Sequence, residues 1–232
     1  MPIIMRLYPK RRPAAKPQAG FSLIELMFAM AITLIVLGMA SALLGRSFNV
    51  RTRENLRTDA LADVQRALNI MSREIANAGY GVDTLTNGIV PGDSDTSSIR
   101  IWANTDRYST DASVTDTMRS TISGAGEDIK YLVYEDETND QSYLVRYDNL
   151  ASSTEDQKTV LANRITGLTI TYKTDAGATT TDETAAQRVL IAVGVQLDAV
   201  GTFGVEGYQP AQTVELTSEV ALRNTIDNLR RY

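Results

Sequence analysis

Glu25 is the residue whose chemistry stands out first. It is the only ionisable side chain in residues 20–44, GFSLIELMFAMAITLIVLGMASALL. A carboxylate in hydrocarbon costs on the order of a few kcal/mol unless it is paired or lies near the interface. Glu25 therefore needs a cationic partner, and the run itself supplies none. Elsewhere the side chains on which most enzymes rely are missing. The chain has no histidine and no cysteine, which removes the commonest general base and metal ligand together with every disulfide and thiolate site. Asp93 and Asp95 in PGDSDTSS open like a calcium loop, but the twelfth position counted from Asp93 is Asn104, where a bidentate Glu is expected, so the EF-hand pattern fails. A second acidic cluster, Glu135, Asp136, Glu137 and Asp140, falls between two strand patterns and reads as a solvated hairpin tip. With no nucleophile elbow, phosphate-binding loop or dinucleotide glycine signature, no cofactor and no reaction are expected.

The elements that carry these residues follow from periodicity. About two dozen apolar residues at 1.5 Å rise span roughly 36 Å, enough to cross a bilayer core with some tilt. Beyond residue 45 the apolar residues thin to a stripe, Leu61, Val64, Leu68, Met71, Ile75 and Ala78, spaced by three and four. Arg53, Glu54, Asp59, Asp63, Arg66 and Arg73 fall largely off that stripe. No proline interrupts residues 21–89, so one helix is predicted over about 21–78, with Gly79 and Gly81 as its stop. Its second half packs either on the chain's own sheet or in a coiled coil, and the short stripe favours the sheet. Residues 82–126 are rich in Thr, Ser, Asp and Gly, with one strand pattern at 98–102. Such an insertion reads as a binding or packing surface, or as partly disordered. Strands are predicted at 129–134, 142–147, 165–172, 189–197 and 213–222, where β-branched and aromatic residues recur between polar loops. The expected fold is α+β, a long N-terminal helix with a membrane half and an amphipathic half, packed on an antiparallel sheet.

The order of features then becomes specific. A basic, proline-broken leader with Arg6, Lys10, Arg11, Arg12 and Lys16 precedes Gly20-Phe21-Ser22-Leu23-Ile24-Glu25 and the apolar helix. This block resembles the class III signal of type IV prepilins and type II secretion pseudopilins. A secretory signal places its apolar core before the cut, whereas here the junction precedes it. The resemblance implies cleavage between Gly20 and Phe21 by a prepilin peptidase, methylation of the Phe21 amine, and subunit assembly through Glu25 facing a neighbour's amine. It also implies a pilin-like fold and partners in other minor and major pilins, an inner-membrane assembly platform and, before assembly, membrane lipid. The expected segments are a cleaved leader 1–20, a membrane half 21–44, an amphipathic half 45–79 and a soluble domain 80–232. MSREIANAGYG at 71–81 and the features from Tyr131 to Asn224 resemble the PilW group of minor pilins and the related J-type minor pseudopilins.

Charge bears on orientation and partners. The leader's density of positive residues favours a cytoplasmic N-terminus, although Arg46, Arg51 and Arg53 lie beyond the other end of the run. Removing the five basic leader residues from 23 leaves 18 against 28 acidic, a net charge of about −10. No nucleic acid partner is expected of so acidic a product, and no Lys/Arg cluster with interleaved aromatics stands out along the chain. The leading expectation is a minor type IV pilin that initiates or caps the pilus, located in the inner membrane and then at the cell surface. A minor pseudopilin of type II secretion, a tip adhesin using residues 82–126, and an uncleaved membrane-anchored protein or enzyme are the alternatives.

Overall fold

A computed structural model describes residues 20–82, 86–205 and 207–225. The basic leader side chains from Arg6 to Lys16, and the C-terminal Arg230 and Arg231, lie outside the described residues. The chain divides into two compact units, Met1–Gly45 and Arg46–Tyr232.

Helix α1, Leu23–Ala76, is 54 residues long and belongs to both units. Within the first unit every described residue is exposed, including Leu26, Phe28, Ile32, Leu34 and Leu37. Within the second unit α1 buries Ala60, Val64, Ala67, Leu68, Met71 and Ile75. The predicted stripe is thus the core-facing one, with Leu61 only half-buried and two alanines widening it. Arg53 departs from expectation. It is buried too, because its guanidinium reaches the carbonyl oxygens of Asp198, at 3.4 Å, and of Pro210.

The stop of α1 is built by glycine and by borrowed donors. Gly79 and Gly81 take φ of 78° and 66°, a region closed to most side chains. The free carbonyls of the last turn are met by the Arg223 amide on Ala76 O (3.1 Å) and by Asn224 Nδ2 on Ala78 O (3.1 Å).

The remaining elements are β1 Ile99–Trp102, α2 Asp116–Ser120, β2 Asp128–Asp136, β3 Gln141–Asp148, α3 Thr154–Gln157, β4 Lys158–Asn163, β5 Ile165–Lys173, β6 Thr179–Thr180, β7 Arg188–Leu197 and β8 Gln212–Ala221. All five predicted strands form, but they do not share one sheet. The order is β1-β2-β3-β4 in one four-stranded sheet and β6-β5-β7-β8 in a second, with every named pairing antiparallel. Arg164, with φ of 57°, separates β4 from β5 and moves the chain from one sheet to the other. Alternation puts Ile99, Ile101, Ile129, Tyr131 and Leu144 of the first sheet, and Ile170, Val189, Ile191, Val193 and Val195 of the second, into one core with the α1 stripe. The predicted acidic tip is the β2–β3 turn, where the Asp136 carboxylate accepts from the Thr138 amide (3.0 Å) and Asn139 Nδ2 (2.8 Å).

Candidate functional site

The candidate site is the start of α1. Gly20, Phe21 and Ser22 precede the helix, and Phe21 stands fully open to its surroundings. The Gly20–Phe21 bond therefore lies before the first helical turn, outside the helix's hydrogen-bond ladder. Ser22 O accepts the first helical bond from the Leu26 amide at 3.1 Å. Ser22 and Glu25 have the Ser-x-x-Glu spacing of a helix start, and a carboxylate in the first turn is favoured by the aligned peptide dipoles. That local benefit is a fraction of a kcal/mol to about 1 kcal/mol, below the few kcal/mol that hydrocarbon would cost the same charge. Among the described residues Glu25 makes no ion pair or hydrogen bond. Downstream, Thr33 satisfies its hydroxyl by donating to Ala29 O at 2.7 Å, so that hydroxyl adds no unmet polar group.

The second unit, Arg46–Tyr232, holds its charges differently, each in a local network. Asp93 receives Arg100, with Lys130 Nζ 3.9 Å away. Asp95 accepts from the Ser97 and Ser98 amides at 2.6 and 2.7 Å, bonds that hold its carboxyl below the usual range. The two candidates for a calcium loop thus face an arginine and a turn. Burial pulls the Asp128 carboxyl upward, but Arg100 at 2.6 and 2.8 Å and Asn149 at 2.9 Å outweigh it, and the group lies below its ordinary value. On α1, Glu74 accepts from Arg146 Nε at 3.0 Å and from the buried Tyr131 hydroxyl. Burial first, and then the Glu74 charge, pushes that phenol well above its ordinary value.

Residues 86–126 carry little regular structure, yet two side chains tie them down. Glu127, at 1% exposure, accepts from the Thr105 and Asp106 amides with one oxygen (2.7 and 3.3 Å) and from the Ser123 and Gly124 amides with the other (both 2.9 Å). Asn104 Nδ2 reaches the Met118, Arg119 and Thr121 carbonyls at 3.1–3.3 Å. Neither was legible in the sequence, because each role joins residues 14 or more positions apart in the chain, apart from the Ser123 and Gly124 contacts. Strand pairing also gathers a row of Arg100, Lys130, Tyr147 and Lys158 across β1 to β4, with Lys158 Nζ 3.0 Å from the Tyr134 ring centre. The linear sequence disperses these cations. Arg100 is neutralised in place by Asp93 and Asp128.

Among known families, residues 15–41 match the prokaryotic N-terminal methylation motif. The match covers Gly20, Phe21, Glu25 and all but the last three residues of the apolar run, and it supports a type IV prepilin-like chain. No curated protein matches the chain.

Proposed function

We propose that this chain is a minor type IV pilin of the PilW kind, a structural subunit that helps initiate or cap a pilus. The observation that carries the reading is the methylation motif at 15–41, which continues into an α1 whose apolar half is exposed on every side. In this reading residues 1–20 are a leader. A prepilin peptidase hydrolyses the Gly20–Phe21 bond, and the new Phe21 amine is methylated. Residues 21–44 wait in the inner membrane, N-terminus cytoplasmic, and later become filament core. Residues 45–79 and 80–232 form the amphipathic half and the soluble domain.

Cleavage supplies what Glu25 lacks. A free α-amine titrates near 8 and is largely protonated at neutral pH. In low dielectric an amine and a carboxylate from adjacent subunits each offset part of the other's desolvation. Glu25 therefore selects a neighbour that presents a processed N-terminus, with the inner-membrane platform as the place of transfer. A subunit of net charge about −10 repels its own copies at each repeat unless salt screens it. That argues for use once or a few times per filament. Quantitative mass spectrometry of sheared pili tests both points. The chain is expected far below the major subunit, and Glu25→Ala is expected to lower it further while the soluble domain stays folded. Finding this chain as the most abundant pilin, or finding Glu25→Ala incorporated normally, contradicts the corresponding part of the reading.

A further inference from the structure

The loop between β7 and β8 is pinned to α1 at the point where the helix stops being apolar. Arg53 bonds Asp198 O at one end of the loop and Pro210 O at the other, with Gln212 Oε1 at 3.4 Å. Val200 and Gln209 then close the neck with reciprocal amide–carbonyl bonds of 2.9 Å. Below the neck the loop descends along the helix towards its N-terminus. A β-carbon on Gly201 would meet Asn49 Nδ2 at 3.0 Å, and one on Gly207 would meet Arg46 Cα at 3.2 Å. Both glycines have positive φ, 88° and 90°, so the close approach and the turn use the same residues. At the tip Phe203 is 84% and Val205 60% exposed, with Phe203 edge-on to Tyr208 at 5.5 Å.

We propose that Phe203 and Val205 form a lipid-facing anchor, seated in the interfacial layer of the bilayer that holds residues 21–44. This rests on the membrane reading of α1 given above. The apolar run ends at Leu44, and Arg46, two residues on, is expelled from hydrocarbon by its charge. Residues 46–49 must then stand at headgroup level, within roughly 8 Å of Leu44 along the helix. The loop touches the helix at those residues, so covalent continuity alone brings its tip to the same depth. Phenylalanine and tyrosine rings suit that layer, where apolar surface meets headgroups, and the exposed Arg51 one turn further up adds a cation for lipid phosphate. In water the same Phe203 is an unexplained exposure of a large apolar ring. The anchor holds the soluble unit against the membrane surface until the subunit is drawn into a filament.

The absence of cysteine makes the test direct. Full-length single-cysteine variants Phe203→Cys, Val205→Cys, Leu34→Cys and Thr138→Cys are spin-labelled and placed one chain per bilayer nanodisc. Collision rates with oxygen, which partitions into lipid, and with an aqueous nickel chelate are then compared. Labels at 203 and 205 are expected to show an oxygen-to-nickel ratio several-fold above that at 138 and below that at 34. Ratios at 203 and 205 equal to that at 138, with 34 in lipid, overturn the anchor and leave the pilin reading standing. An aqueous signal at 34 overturns both. Protection from nickel without a gain in oxygen, the mark of cover by protein, also overturns the anchor.

Discussion

Two buried carboxylates show how differently one residue type behaves within this chain. Glu127 is held by backbone amides, whereas Asp128, next to it, is held by the guanidinium of Arg100. The folded-state pKa of Asp128 lies below its ordinary value. Its contribution to stability is therefore present above the unfolded value near 4 and is lost as pH falls through the lower folded value. Asp128→Asn keeps the shape but removes the charge, and is expected to cost about 2 kcal/mol at pH 7. The cost should shrink as pH falls through that lower folded value and the native carboxyl takes up its proton. Thermal melts of the two proteins from pH 7 to pH 2 check this through their difference, since other depressed carboxyls such as Asp95 and Glu219 cancel. A gap that stays constant with pH would contradict the assignment. Glu25 stands out in the sequence as a candidate because an apolar run makes any charge conspicuous. Asp128 and Glu127 do not, because their partners arrive from other segments only on folding.

At the scale of elements, period and length carried most of the reading. The helix was legible because nothing breaks it and its stripe keeps a 3.6-residue period, and the five strands because they alternate. The division into two sheets was hidden. No strand was predicted over β4, and a single left-handed residue, Arg164, turns the corner from β4 to β5 without a glycine or proline at that position to announce it. The close approach of Gly79 to Gly88 was hidden as well. A β-carbon on Gly88 would meet Gly79 N at 1.8 Å, and the φ of 80° disfavours any side chain there. This contact lets β1 bond both segments, through Gly79 N on Trp102 O and Trp102 N on Gly88 O, each 2.8 Å. Gly88→Ala is expected to destabilise the second unit by more than about 3 kcal/mol, from combined overpacking and backbone strain. Gly92 has the same φ with open space around it, so Gly92→Ala is expected to cost only about 1 kcal/mol. Denaturant melts of the two variants separate strain from crowding, and equal losses would contradict the close-packed account.

At the scale of the molecule, one end is built to be covered by something other than itself and the other is self-sufficient. Residues 21–44 expose apolar side chains throughout, while the second unit closes one core between α1 and two sheets without a disulfide. The prepilin reading joins these facts, since lipid and then neighbouring subunits supply the cover in turn. Its central claim is that the leader is removed at one bond and that the new terminus is modified. Intact-mass and N-terminal peptide mass spectrometry of the membrane-extracted protein, coexpressed with a prepilin peptidase, tests this most directly. The expected product begins at Phe21 and carries one added methyl group on its amine, and replacing Gly20 with a bulky residue is expected to leave the leader attached. A wild-type product that still carries residues 1–20 would contradict the account.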